Sequence, residues 1–142
     1  MISLRSVLFL ALLALAQPGL GQAKEPAKPV GACAQAAQNV EGAINPGRYD
    51  NAVYAYSLAG KVIISHADEP AEHAIVERTT KSWGKCVQAL TTTKAGTFAF
   101  APVKSGTYYL RVSKKGFRPV MLKVTITPTA PSDLVVSLTP DT

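Results

Sequence analysis

The chain has 142 residues, of which 47% are hydrophobic and 17% charged, and its formal net charge is +6. This length suits one domain, and the lysines and arginines are scattered along the chain instead of forming a run or a helical stripe. The charge therefore favours anionic surroundings such as cell-envelope polymers, and argues against nucleic-acid binding, which would need a clustered basic face.

The first 23 residues are typical of a secretory signal peptide. Arg5 precedes an unbroken apolar run at 7–16, which a Pro-Gly pair ends, and small residues allow cleavage after Ala23 or, alternatively, after Ala16. An uncleaved anchor would need about 20 apolar residues to span a membrane, and this run is too short. We therefore predict removal of residues 1–23, no integral membrane segment, and a periplasmic or extracellular location. The mature net charge would be +5, from 14 basic and 9 acidic residues.

Residues 24–50 do not show a strand pattern. The segment 24–32 is rich in proline, alanine and charge, whereas 33–44 contains enough alanine and aliphatic residues for about two helical turns. The Asn-Pro-Gly sequence at 45–47 then forces a turn. We predict that 24–50 is a flexible leader with a short helix.

From residue 51 to residue 140 the sequence predicts short strands separated by turns. Apolar and polar residues alternate clearly within 107–113, 121–127 and 134–139. Such alternation is typical of antiparallel sheets that expose one face to water. We therefore predict an all-β domain at 51–140, an antiparallel seven-stranded β-sandwich, and exclude a parallel α/β sheet.

An ordered series of sequence blocks lies between residues 59 and 138. The blocks are Gly-Lys-Val at 60–62, a turn and strand at 69–76, a threonine-rich strand, glycine turn and aromatic strand at 92–100, Ser-Gly-Thr-Tyr-Tyr-Leu-Arg-Val at 105–112, and Lys-Gly-Phe at 115–117. In these blocks the chain resembles the carboxypeptidase regulatory-like domain of the transthyretin-like (prealbumin-like) sandwich group. The resemblance implies a transthyretin- or immunoglobulin-like fold with glycine turns of positive φ at Gly96, Gly106 and Gly116, and with Phe98, Phe100 and Tyr108 between the sheets. It says little about function, because the family uses this module as a spacer, an accessory domain or an interaction element.

Cys33 and Cys86 are the only cysteines. In an oxidising compartment such a pair predicts one disulfide, with two unpaired buried thiols as the alternative. Cys33 precedes the family resemblance, and Cys86 lies in a segment, 79–88, that is longer than is typical of the family. A bridge between them would tie the extra N-terminal segment to the edge of the sandwich.

Catalytic and metal chemistry is poorly represented in the sequence. No Gly-x-Ser-x-Gly nucleophile turn and no phosphate-binding glycine loop is present. The hydroxyisourate hydrolases of the transthyretin-like group use several histidines and end in Tyr-Arg-Gly-Ser, whereas this chain has two histidines and ends in Leu-Thr-Pro-Asp-Thr. The densest set of candidate ligands also fits a solvated turn: His66, Asp68, Glu69, Glu72 and His73. We predict a protein that is not an enzyme and has no metal or cofactor.

Exposed aromatic residues are the better functional candidates. Trp83 lies in a predicted turn between Lys81 and Lys85, and Tyr109 and Arg111 fall on the face of their strand opposite to Tyr108. Aromatic rings beside cations suit a protein or glycan contact, although Trp83 could instead cover the disulfide. We predict an exported non-catalytic module that contacts a protein or an anionic envelope polymer. The alternative is a carbohydrate-binding accessory domain.

Overall fold

The computed structural model describes residues 31–130 and 133–142, which form one helix and nine strands. The elements are α1 (Ala32–Glu41), β1 (Arg48–Ala55), β2 (Ala59–Ile64), β3 (Glu69–Pro70), β4 (Ile75–Thr79), β5 (Cys86–Thr91), β6 (Thr97–Ala99), β7 (Gly106–Ser113), β8 (Val120–Ile126) and β9 (Leu134–Leu138). The predicted signal peptide at 1–23 lies outside the described residues. Within them, no helix has both the length and the apolar character needed to cross a membrane.

The strands form two sheets, and the predicted all-β sandwich is confirmed. Sheet A has the order β1-β8-β7-β4-β5, and sheet B contains β3, β2 and β6 with β9 paired to β2. The predicted number of seven strands is wrong, since the described residues form nine. One extra strand, β3, has only two residues and carries turn chemistry, so it is defined by its pairing with β2 and not by its own pattern.

Strand direction also differs from the prediction, because both sheets are mixed. β1 pairs with β8 and β2 pairs with β9 in parallel, while the remaining pairs are antiparallel. Each parallel pair joins strands that are far apart in the chain, so no hairpin fixes their direction. Alternation of side chains has the same period of two in parallel and antiparallel strands, and therefore does not encode direction.

The core lies between the two sheets and is built from the alternating apolar positions. β-branched and aromatic residues favour these strands because they pack well on a pleated surface. Leu110, Val124 and Val136 are fully or almost fully buried there. The resemblance placed Phe98, Phe100 and Tyr108 between the sheets, and the structure confirms it, with the first two buried and the third packed against the core.

Two glycine turns show why the chain needs glycine at these places. Gly96 has φ 78° and Gly116 has φ 89°, as predicted, and L side chains rarely adopt such backbones. A Cβ atom on Gly96 would also lie 2.6 Å from the carbonyl oxygen of Val62, whereas a Cβ atom on Gly116 would meet nothing within 4 Å. Glycine is thus required at position 96 by backbone conformation and by close packing, and at position 116 by backbone conformation alone.

Helix α1 adds a third layer on the outer face of sheet A, the face turned away from sheet B. It contacts β4, β5 and β7, and the Asn39 side-chain amide donates a hydrogen bond to Ser113 Oγ at 3.4 Å. The predicted disulfide is confirmed: Cys33 in α1 is bonded to Cys86 in β5, with their Cα atoms 5.9 Å apart. The helix has ten residues, no side-chain N-cap and no charges that favour its ends. Since isolated helices of this length are marginal in water, its position depends on the disulfide and on packing.

Candidate functional site

Beside α1, the outer face of sheet A carries a cluster of three aromatic rings, Tyr49, Trp83 and Tyr109. The Trp83 ring centroid lies 5.1 Å from that of Tyr49 and 5.2 Å from that of Tyr109, with interplanar angles of 67° and 89°. Both contacts are edge-to-face, the geometry that aromatic quadrupoles favour. We call these three residues the aromatic cluster.

The turn between β4 and β5 fixes Trp83 over the sheet. Ser82 and Trp83 both have φ 56°, a left-handed conformation that costs roughly 1–2 kcal/mol for a residue with a Cβ atom. In return, the indole Nε1 donates to the carbonyl oxygens of Leu110, at 3.0 Å, and Leu122, at 3.1 Å. The predicted turn is therefore present, but its tryptophan is half-buried and lies across β7 and β8.

Arg111 lies next to the aromatic cluster and forms a bidentate ion pair with Glu77. Its Nε donates to Glu77 Oε2 at 2.7 Å, and its Nη2 donates to Oε1 at 2.8 Å. The Glu77 side chain is only 1% exposed and that of Arg111 only 19%. The hydrogen bond from Arg111 to Glu77 raises the pKa of the guanidinium, and burial opposes this rise. Arg111 also donates from Nη1 to the carbonyl oxygen of Trp83 at 3.2 Å, so it holds the turn in place.

A groove of about 550 Å³ lies between the aromatic cluster and the loop that follows α1. We call it the outer groove. One wall is formed by residues 43–47 and the other by Tyr49 and Trp83, with Arg111 and Met121 beneath them. Gly47 lies so close to Met121 that a Cβ atom there would collide with the methionine side chain. The loop therefore lies close against β8 at this wall of the groove.

Hydrogen bonds with the C-terminal part of the chain hold the loop at 43–47 in place. Asp141 accepts hydrogen bonds from the backbone N–H groups of Ile44, at 2.5 Å, and Asn45, at 2.9 Å, and from the Asn45 side-chain amide at 2.6 Å. Arg118 adds a bond from Nε to the carbonyl oxygen of Pro46 at 2.6 Å. The bond from the Ile44 N–H is the largest cause of a lowered pKa for Asp141.

The hydrogen bonds that Asp141 accepts from the loop should make the stability of the protein depend on pH under acidic conditions. Because the pKa of Asp141 is lower in the folded state than its ordinary value of 3.8, ionised Asp141 contributes stability above that value, and the contribution is lost as the pH falls through the folded-state pKa. We expect Asp141→Asn to lower the melting temperature at neutral pH and to differ less and less from the wild type as the pH falls below about 4. Thermal unfolding of both proteins at a series of pH values, from neutral to below the ordinary pKa of aspartate, measures the difference in melting temperature. Glu41→Gln serves as the control. A difference independent of pH would show that the carboxylate charge is not involved.

The structure brings together three of the predicted contact residues and leaves two on the flank. Trp83, Tyr109 and Arg111 lie side by side, while Lys81 and Lys85 are exposed on the turn. Lys81 also lines a separate groove of about 370 Å³ that includes Tyr109. Arg111 uses three of its five N–H donors for Glu77 and Trp83, so its main role in the site is to position the turn.

Sequence reasoning missed Glu77 and the loop at 43–47, and it did not include Tyr49 among the predicted contact residues. Tyr49 lies in β1, which begins at Arg48 and thus before the predicted start of the strands at residue 51. Tyr54, on the same face of the same strand, is 57% exposed, and Tyr49 is 60% exposed. The aromatic content of 49–56 was the available signal.

The histidine and carboxylate set around residue 70 is spread over strand β3 and the exposed turns on either side of it. His73 Nε2 lies 3.5 Å from Glu72 Oε2, and both side chains are well exposed. Among the described residues, no group of three or more histidine, cysteine, aspartate or glutamate side chains is placed to hold a metal ion. These residues therefore supply no argument for the site.

Comparison with known families agrees with the fold. A family model described as the carboxypeptidase regulatory-like domain matches residues 57–139, more than half of the chain, in agreement with the predicted resemblance. No curated protein gives a significant match. The matched range includes Trp83, Tyr109 and Arg111, whereas α1 and β1, which carries Tyr49, precede it. Domains of this family are generally non-catalytic. The chain belongs to the carboxypeptidase regulatory-like domain family.

Proposed function

We propose that this chain is an exported, non-catalytic binding module that presents the outer face of sheet A to a protein partner or to an anionic envelope polymer. In this proposal residues 1–23 are removed during export, in keeping with the signal-like start of the sequence and with the Cys33–Cys86 disulfide. The proposal keeps the predicted domain at 51–140 and adds α1 to it, because this helix, within the predicted leader at 24–50, packs on sheet A. The structure begins β1 slightly earlier, at Arg48.

One observation carries the proposal: large aromatic rings are exposed next to a groove on a single face of sheet A. Tyr49 and Tyr54 are each more than half exposed, and Trp83 is held beside Tyr49 by hydrogen bonds that fix its ring. Fixed aromatic residues lose little entropy on binding and are enriched among the residues that dominate interface energies. Both tyrosines lie outside the range of the family match, so they are additions to the common sandwich.

A carbohydrate-binding accessory domain is the second candidate. The observation in its favour is the exposed Tyr49 ring beside a groove, because exposed aromatic rings can offer an apolar face to a sugar ring. The two candidates differ in ligand class but use the same surface. One set of variants can therefore test both.

We expect Tyr49→Ser/Tyr54→Ser to reduce capture of the natural partner by at least about tenfold. Loss of one interface aromatic residue can cost about 2 kcal/mol or more, and about 1.4 kcal/mol corresponds to a factor of ten. Wild-type protein recovered from the exported fraction, with an intact mass that lacks residues 1–23, is cross-linked within that fraction and its partners are quantified by mass spectrometry. Insoluble cell-wall polymer and a glycan array are tested with the same proteins.

The matched control is Val135→Ser, which removes an apolar side chain that is 60% exposed on β9 of the other sheet. Wild type and control should capture the same ligand, and the double tyrosine variant should lose it while staying folded, with only a small decrease in melting temperature from the lost Tyr49–Trp83 contact. Equal capture by all three proteins, or no ligand for any of them, would contradict the proposal.

A further inference from the structure

We infer that a groove at the end of β4 binds a phosphate monoester group. The groove has a volume of about 370 Å³, and we call it the strand-end groove; six residues line it: Arg78, Thr79, Lys81, Thr107, Tyr108 and Tyr109. Among the described residues it shares none with the outer groove. The inference therefore goes beyond the proposed function and does not depend on it.

The groove exists because β4 is shorter than the strand beside it. β4 ends at Thr79, which pairs with Tyr109, whereas β7 begins earlier, at Gly106. Residues 106–108 pair with β8 on one side, and on the other side no strand of the described chain continues β4 beside them. The chain turns away through Lys81 instead, so the start of β7 is open to a ligand.

Arg78 provides hydrogen-bond donors that the protein leaves unused. It lies opposite Leu110 in the register of β4 and β7 and is half-buried, and its Nε is buried without a hydrogen-bond partner in the described structure. None of the three ion pairs among the described residues involves it. A guanidinium group is a fork of N–H donors that fits the oxygens of an oxyanion, and an unbonded buried donor is unfavourable. An oxyanion in the groove would give Arg78 the acceptor that it lacks.

Three further lining residues add donors to the groove. Lys81 carries an ammonium group, and Thr107 and Tyr109 carry hydroxyl groups. The side-chain hydrogen bonds that the lining residues form within the described part of the chain come from Thr79 and Tyr108, whose hydroxyl groups donate to backbone carbonyl oxygens. The ammonium group and the other two hydroxyl groups therefore remain for a ligand.

The groove lies in a part of the sequence that has no acidic residue. Residues 78–132 contain ten of the 15 lysines and arginines and none of the nine acidic residues, and all six lining residues belong to this range. Lys123, opposite Tyr109 in the register of β7 and β8, adds a further exposed cation. The charge around the groove is therefore positive and attracts an anion.

The described carboxylates do not cancel this charge. Glu77 accepts hydrogen bonds from Arg111 on both of its oxygens. Asp133 raises the pKa of Tyr56 through a hydrogen bond; this tyrosine follows β1, and β8 separates β1 from β7. The remaining described carboxylates lie in α1, in β1, between β2 and β4 or at the C-terminus, and none lines the groove: Glu41, Asp50, Asp68, Glu69, Glu72 and Asp141.

A phosphate monoester matches these donors in charge and in number of acceptors. It carries a charge of about −1.5 to −2 at neutral pH and three strong acceptor oxygens, and Arg78 and Lys81 supply two positive charges. A carboxylate would bring one charge and two oxygens, and a sugar hydroxyl group would bring no charge. The volume of the groove is near the lower end of the range of about 300–1,000 Å³ that is usual for ligand clefts, which suits one phosphate group with a small group attached.

Nuclear magnetic resonance titration of the exported protein tests the inference with three matched probes: glycerol 1-phosphate, glycerate and glycerol. We expect glycerol 1-phosphate to shift the amide signals of Thr107 and Tyr109 and the Nε–H signal of Arg78. Glycerate should bind at least about threefold more weakly, because it has a lower charge and fewer acceptors, and glycerol should cause no shift. Added salt should weaken the binding of glycerol 1-phosphate.

Variants show whether the shifts come from the strand-end groove. Arg78→Gln and Lys81→Gln should each weaken glycerol 1-phosphate at least about threefold, since each removes a charged contact. Lys81 is exposed, so its variant tests the groove even if Arg78→Gln lowers stability. The matched control is Lys94→Gln, which removes an exposed charge from the turn between β5 and β6 and should bind as the wild type does.

A further pair of probes identifies the source of the phosphate group. Inorganic phosphate and vesicles of phosphatidylcholine, with and without phosphatidic acid, are compared with glycerol 1-phosphate. Cosedimentation with the phosphatidic acid vesicles alone, lost in Lys81→Gln, would support the inference and assign a lipid headgroup. Binding of glycerol 1-phosphate or inorganic phosphate without cosedimentation would support it and assign a phosphate group outside the lipid.

Three results would overturn the inference: no shift at the groove by glycerol 1-phosphate, equal binding of glycerate, or equal weakening by Lys81→Gln and Lys94→Gln, which would indicate a general effect of net charge. Failure of the proposed function is recognised separately. It would appear as equal capture by wild type and the double tyrosine variant, and neither of those tyrosines, at positions 49 and 54, lines the strand-end groove.

Discussion

Replacement of Arg111 by alanine should lower the free energy of unfolding by about 3–5 kcal/mol, because it leaves the Glu77 carboxylate buried without its partner. Glu77 is 1% exposed, and both of its oxygens accept hydrogen bonds from Arg111. The same substitution removes the bond from Arg111 to the Trp83 carbonyl oxygen. Urea unfolding at neutral pH measures the loss, and tryptophan fluorescence reports whether Trp83 becomes more exposed to water.

A double variant separates charge from packing in this prediction. Glu77→Leu/Arg111→Met removes both charges while keeping side chains of similar length, and replacing a buried ion pair in this way is often neutral or stabilising. We therefore expect the double variant to be more stable than Arg111→Ala. If both were equally unstable, the loss would come from packing beneath Trp83, and the account of Glu77 as an uncompensated buried charge would be wrong.

The core of the sandwich could be predicted from the sequence because burial follows a period of two. The alternation in β7, β8 and β9 predicts one apolar face for each strand, and the structure buries Leu110, Val124 and Val136 in the core. The pattern could not give the parallel direction of β1 or β9. Direction depends on which distant strands meet, and that depends on the whole topology.

The candidate site was only partly predictable because a third layer covers part of the outer face of sheet A. In β4, Glu77 lies opposite Arg111 on the outer face, where alternation alone predicts exposure to solvent. Helix α1 and the Trp83 turn cover that face, so the pair is buried. Trp83, Tyr109 and Arg111 could be chosen from residue type and strand face, but the ion pair beneath them required the packing of segments outside the repeating pattern.

Removal of the disulfide should also have a large effect, in both the unfolded and the folded state. Cys33 and Cys86 are 53 positions apart, and the chain-entropy treatment gives about 4 kcal/mol for a loop of this size. In the folded state α1 would lose its covalent tie to β5. Its remaining contacts involve few buried residues, Ala36 and Asn39, and its ends lack favourable charges. We therefore expect Cys33→Ser/Cys86→Ser to unfold more easily, with α1 opening before the sheets do.

Hydrogen exchange combined with urea unfolding distinguishes these two effects. In the wild type, which should show no free thiol before reduction, the α1 amides should be protected. In the double serine variant they should exchange much faster than the amides of β7 and β8, whose protection should fall only as far as global stability does. The loop at 43–47 follows α1 and forms one wall of the outer groove, so opening of the helix should also weaken ligand binding there. Equal protection of α1 and β7 in the double serine variant would show that the contacts of Ala36 and Asn39 hold the helix without the disulfide, and that the outer groove does not depend on it.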